Sequence, residues 1–135
     1  MGKGKFYNLS QIEEIIDEHI DLITVDELAF KEAEERATKF LVVTAILNDF
    51  ILYTSMDLAK ANTIVSATYY QAFKNTTGTV SDREAQAEAD ADYTKAVEQR
   101  SQLDEIIKWA RTHYKIFNDA HITYRQFSKG AMNNG

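Results

Sequence analysis

Proline is absent from this chain, and its five glycines stand at positions 2, 4, 78, 130 and 135. Between Lys5 and Thr77, and again between Thr79 and Lys129, there is no residue of the usual helix-breaking kind. A helix interior disfavours Pro by about 3 kcal/mol and Gly by about 1 kcal/mol relative to Ala, so two such spans are free to form long helices. Gly78 lies inside Asn75-Thr76-Thr77-Gly78-Thr79-Val80-Ser81, a run of turn-forming residues that marks one bend. Ser81-Asp82-Arg83-Glu84 has the spacing of a capping box, the Ser81 hydroxyl accepting from the Glu84 amide while Glu84 reaches back. Gly130 suits the position just past a helix end. Ser10 before Gln11-Ile12-Glu13-Glu14 reads as another start, and Thr24 or Asp26 can cap the segment that follows. The spacing predicts helices over about 10–22, 26–75 and 81–129, with a break near Thr54-Ser55 as the alternative for the second.

Periodicity supports this reading. Phe30, Ala33, Ala37, Phe40, Thr44, Leu47, Ile51, Thr54, Leu58, Ala61, Val65, Thr68 and Ala72 step alternately by three and four. So do Ala85, Ala89, Asp92, Ala96, Gln99, Leu103, Ile106, Ala110, His113, Phe117, Ala120, Tyr124 and Phe127. Such spacing makes the narrow seam of coiled-coil packing. The two series mirror each other about Gly78, setting Ala72 against Ala85, Phe40 against Phe117 and Phe30 against Phe127. The fold class is therefore all-α: a long antiparallel, coiled-coil-like helical hairpin with a short N-terminal helix, in one domain spanning residues 1–135. The seam is small (Ala, Thr, Val) near the turn and large (Phe, Leu, Ile, Tyr) toward the open end. Most of the stability is expected at the open end, and the turn is expected to be the more mobile.

The run Phe40 to Tyr53 is apolar around almost the whole helix, more than a two-helix seam covers. Ile12, Ile15, Ile16, His19 and Leu22 or Ile23 form a stripe that can cover a second side. A helix of about 50 residues is roughly 75 Å long, and a rod of that shape buries little surface for its mass. Phe40, Val43, Ile46, Phe50 and Tyr53 are accordingly expected to form an interface between copies, making the protein a homo-oligomer. Thr44, Asn48 and Asp49 interrupt the run, so no membrane span is expected. The Met1–Lys5 segment is basic with no hydrophobic stretch behind it, which does not read as a secretory signal. With no cysteine in the chain, a disulfide framework and a thiolate site are excluded. The expected location is cytoplasmic.

Little in the chain suggests catalysis. His19, His113 and His121 are not spaced as metal ligands, and His113 falls on the seam as an interface histidine opposite Thr44. Glu88 and Asp92 share a helical face with Asp90 nearby, a pattern that suits a helix N-terminus better than a cation site. Glu32, Glu34 and Glu35 read as a solvated face. No phosphate-cradling Gly loop or nucleophile motif occurs. No cofactor is expected, and the chain reads as a binding protein rather than an enzyme.

Charge is the remaining signal. The net charge is -6, but it is unevenly placed. Residues 81–94 hold Arg83 against five carboxylates, whereas residues 95–129 hold seven cations against four. Within the latter, Lys108, Arg111, Lys115, Asn118, Ile122, Arg125 and Lys129 step by three and four, about opposite the seam. Such a stripe can follow a phosphate backbone or an acidic partner.

His121-Ile122-Thr123-Tyr124-Arg125-Gln126-Phe127-Ser128-Lys129-Gly130 contains R-x-F-x-x-G at the close of a long helix. It resembles the C-terminus of the UvsY recombination mediators of large tailed phages. Tyr69-Tyr70, just before a Gly-containing turn, is similar to a paired tyrosine of that family, and the coarse likeness runs from about residue 30 to 130. The resemblance implies a ring-like homo-oligomer that binds single-stranded DNA and helps load a recombinase, in the host cytoplasm if phage-encoded. Arg125, Phe127 and Gly130 are the matched positions. Where the family is basic ahead of the paired tyrosines, this chain has Ser66-Ala67-Thr68, which leaves Lys74, Arg83 and the stripe as the phosphate contacts. The competing expectation is a helical protein-interaction module, such as a phage inhibitor of a host defence complex or a virion assembly component.

Overall fold

The computed structural model describes residues 7–24 and 30–134, the side chains of the last four excepted. Four helices follow in order: α1 (Leu9–Ile20), α2 (Phe30–Lys74), α3 (Val80–Glu88) and α4 (Ala91–Asn134). Among the described residues there is no strand, and α2 packs extensively against α4 as a helical hairpin. The chain divides into two compact units, residues 1–51 with 109–135, and residues 52–108.

In the first unit α1 is capped by Asn8, two residues before the expected Ser10. Asn8 accepts from the Gln11 amide, and the Gln11 side chain returns a bond to the Asn8 amide, both at 2.9 Å. An amide at the third helical position closes the box as a carboxylate would, and the glutamates at 13 and 14 are exposed. The α1 stripe does cover a second side of the core. Ile12 and Ile16 join Ala33, Ala37, Phe40, Val43, Leu47, Phe117, Ala120 and Tyr124 in one buried cluster. Each fully buried large side chain here contributes roughly 1.5–3 kcal/mol. The expected pairing of Phe40 with Phe117 is present, with ring centroids 5.9 Å apart, and Tyr124 closes on Phe40 at 5.2 Å. Phe30 and Phe127, expected to pair at the open end, are both exposed.

A polar node locks the segment after α1 to this core. The Tyr124 hydroxyl accepts from the Thr24 amide at 2.7 Å and donates toward the Thr24 and Leu22 carbonyls at 2.8 and 3.2 Å. Arg36 donates to the Leu22 carbonyl at 2.9 Å and to Thr24 Oγ1 at 3.3 Å. Burial alone would raise the Tyr124 phenol, but the bonds from Thr24 and the nearby Arg36 charge leave it below its ordinary value. Thr24 Oγ1 therefore serves this node. Asp26, the other expected cap, and the predicted start at 26 lie outside the described residues.

The second unit is built from smaller side chains. Ala61, Val65, Ala87, Ala96 and Ile107 are its buried hydrophobics, which matches the expected narrowing of the seam near the turn. Gly78 takes φ +111, a backbone conformation that L side chains rarely adopt. The cap of the next helix is Thr79 rather than Ser81: its hydroxyl accepts from the Asp82 amide at 3.2 Å. Thr79 already has extended backbone, so the helix begins as soon as the glycine has turned the chain.

The expected single helix over 81–129 is two helices. The chain breaks after Glu88, and Asp90 restarts it, its carboxylate accepting from the Tyr93 amide at 3.0 Å. Past the restart Ala96, Leu103, Ala110 and Phe117 keep the covered places expected of them, whereas Asp92 and Gln99 are exposed and Tyr93, Arg100 and Ile107 are covered as well. Tyr69 accordingly meets Tyr93, ring centroids 5.3 Å apart, instead of a residue of α3. At the other end α4 continues through Gly130, which is helical, with open space where a side chain would stand. The alternative break near Thr54-Ser55 is absent, since α2 is continuous.

Candidate functional site

The structure sorts the expected cationic residues by what each already holds. Arg83 belongs to the turn: its guanidinium lies 4.4 Å over the Phe73 ring, and Nε donates to Thr76 Oγ1 at 3.0 Å. It secures the end of α2 and is not placed as a phosphate contact, which corrects the sequence expectation. Lys74 is exposed in the last turn of α2. Lys108 lies 3.1 Å from Asp104 and 3.5 Å from Glu105. The hydrogen bond to Asp104, then the charges of Asp104 and Glu105, hold its ammonium above the usual lysine value. Lys115 is 2.9 Å from Asp119. Such exposed pairs each contribute little to stability, but their carboxylates offset the positive charge a phosphate would meet. Arg111 is exposed.

Arg125 and Lys129 are arranged differently. They do not face away from the seam but flank it, lining a hollow of about 290 Å³ in the first unit with Glu34, Ala37, Thr38, Leu41, His121 and Ser128. Neither carries an ion pair among the described residues. His121 spans the seam, its Nδ1 donating to the Ala37 carbonyl at 2.9 Å. That bond fixes the tautomer, because a carbonyl can only accept, and it leaves Nε2 as the one ring nitrogen open to another group. Ser128 is 9% exposed, and no hydrogen bond within the described residues engages its hydroxyl. The hollow thus gathers two cations, one imidazole and two hydroxyl residues, with the Glu34 carboxylate at its edge.

Sequence reasoning named Arg125 and Lys129 but not His121, Ser128 or Thr38 beside them. The mirror register could have found them, since it sets Ala37 against Ala120 and so brings His121 to the same level. Glu34, read as part of a solvated face, is exposed and also lines this hollow. Of the motif residues, Phe127 is 42% exposed and meets Tyr124 edge-on at 5.6 Å. The other two histidines bond their own helices, His19 to the Ile15 carbonyl at 2.7 Å and His113 to that of Trp109 at 3.0 Å. Among the described residues no group of three or more His, Asp or Glu could hold a metal ion.

The expected interface between copies needs correction. Phe40 and Val43 are 0% and 1% exposed inside the first unit, so no partner reaches them without unfolding it. Ile46 and Phe50 are half-buried against the same core. Phe40 is covered by Phe117 and Tyr124 of α4, and Ile12 and Ile16 of α1 join the same buried cluster. Tyr53, the last of the expected interface residues, is exposed in the second unit, and further exposed apolar residues on α2 are Leu41 and Val42 in the first unit and Leu52, Met56, Ile64 and Tyr70 in the second. By length and composition α2 could also cross a membrane. Its most apolar 18-residue window has a mean hydropathy of 1.4 and is 22% buried. The core helix of a soluble protein meets the same test, and Asn48 and Asp49 interrupt the apolar run.

No family model, no curated protein and no solved structure matches the chain.

Proposed function

We propose that this is a non-catalytic recombination mediator of the phage type, binding single-stranded DNA and a recombinase as a homo-oligomer. The observation that carries the proposal is the pairing of Arg125, in the R-x-F-x-x-G motif, with Lys129 at the hollow. Among the described residues these cations have no carboxylate partner, whereas Lys108 and Lys115 do. A strand held mainly through phosphates needs unpaired cations, and each one engaged steepens the fall of log affinity with log salt by roughly 0.7. Arg111, exposed in the same unit, extends the contact, and Lys74 is an exposed cation of the second unit.

The test is fluorescence anisotropy of a labelled oligothymidylate across a salt series. Affinity that falls with salt, and a slope reduced by roughly 0.7 in Arg125→Gln, supports the reading. Absence of binding at low salt removes it.

A second reading, a helical protein-interaction module directed at a host complex or a virion component, is favoured by the exposed apolar residues of α2. Leu52, Met56 and Tyr70 are each more than half exposed, at 55%, 51% and 64%. Solvent-facing apolar side chains on one helix are a usual mark of partner binding. One stoichiometric protein partner, retained after nuclease treatment and lost in Leu52→Glu/Met56→Glu, favours this reading.

A further inference from the structure

The hollow beside His121 is small. Ligand pockets run from roughly 300 to 1,000 Å³, and this one, at about 290 Å³, admits a single compact group rather than a length of polymer. Its chemistry is that of an oxyanion site. Arg125 and Lys129 supply charge and the Ser128 hydroxyl a neutral donor, while the Thr38 hydroxyl already donates to the Glu34 carbonyl at 3.0 Å. His121 adds a conditional donor. With Nδ1–H committed to the Ala37 carbonyl, Nε2 of the neutral ring is an acceptor and faces an anion unfavourably; once protonated it donates. The other charged groups around it are Glu34 on α2 and Arg125 and Lys129 on α4, and a doubly charged anion bound among them calls for a donor at Nε2.

We infer that this hollow binds one phosphate-like dianion, and that binding is coupled to proton uptake at His121 Nε2. The inference rests on the nucleic-acid reading only for the source of the group: a terminal 5′-phosphate of a strand carries the second charge that an internal phosphodiester lacks. The site therefore favours a phosphorylated strand end over the interior of a strand.

Sulfate is the cleaner probe of the coupling, because its charge stays constant between pH 6 and 8 while that of phosphate does not. Sodium sulfate is titrated into the full chain at fixed ionic strength, with the His121 imidazole resonances followed by NMR. The expected result is saturable movement of His121, affinity roughly tenfold weaker at pH 8 than at pH 6, and loss of that pH dependence in His121→Gln. Lys129→Gln, at an exposed position, weakens binding at both pH values and leaves the fold intact. Sulfate that leaves His121 unmoved, or a pH dependence that survives in His121→Gln, overturns the proposal. A parallel comparison of oligothymidylates with 5′-phosphate and 5′-hydroxyl ends separates the two readings. Equal affinity for both ends, with no sulfate effect, sinks the dianion site and leaves DNA binding standing. Sulfate binding without any DNA binding does the reverse.

Discussion

Replacing Tyr124 by Phe tests the node that joins the segment after α1 to the first unit. The ring stays, so packing against Phe40 and Phe127 is retained, and the change is confined to one oxygen. That oxygen accepts from the Thr24 amide at 2.7 Å and donates to the Thr24 carbonyl at 2.8 Å. The Leu22 carbonyl keeps its bond from Arg36, so the loss falls on Thr24. An orphaned buried donor costs about 1–3 kcal/mol, and a lost neutral hydrogen bond about 0.5–1.5 kcal/mol. The two overlap, because they describe one exchange with water, and a destabilisation of about 2 kcal/mol is expected. For a chain of this length that lowers the melting temperature by roughly 6–10 °C. Thermal denaturation gives the global value. Amide exchange at Thr24 gives the local one, which should accelerate more than that of amides in the second unit. A loss below about 0.5 kcal/mol, with Thr24 still protected, would refute the argument, because it would mean that water already reaches the hydroxyl.

Gly78→Ala forces a side chain into φ +111 and sets its Cβ 3.4 Å from Asp82, so a fall in denaturant midpoint worth about 1–2 kcal/mol is expected at unchanged slope. Asp119→Asn releases Lys115 from its 2.9 Å partner; stability should change by less than about 0.5 kcal/mol, while anisotropy should show stronger low-salt binding of single-stranded DNA and no gain at high salt. Tyr69 is held above its ordinary value by burial first, then by Glu84, Glu88 and Tyr93. A folded value above the unfolded one means that its stabilising contribution is complete below about pH 10 and is lost as pH rises through the folded value. Urea midpoints between about pH 9 and 11 should therefore fall less steeply in Tyr69→Phe than in the parent chain.

Much of the architecture was legible from residue order because a helix repeats every 3.6 residues and a seam records that repeat. The alternating series on α2 needed no tertiary information, and its mirror about Gly78 brought Phe40 to Phe117. What the series could not show was the interruption between α3 and α4. The stop after Glu88 and the restart at Asp90 depend on a side-chain cap that competes with continuing the helix, and no glycine or proline announces it. Caps were misplaced for a related reason: Ser10 and Ser81 have suitable chemistry, but Asn8 and Thr79 are the residues whose backbone is extended where each helix starts.

The sequence by itself determined that the chain is helical and that it turns at Gly78, since these depend only on local propensity and periodicity. Tertiary structure alone decided which of the cations and apolar residues remain available. Arg83 is drawn into the turn by Phe73 and Thr76, and Phe40 and Val43 are closed off by the core that α1 helps to cover. Arg125 and Lys129 gain His121 and Ser128 as neighbours only because α2 lies against α4 at Ala37. Periodicity specifies the direction a side chain takes from its own helix, whereas a site is made by what stands opposite, and that is a property of packing.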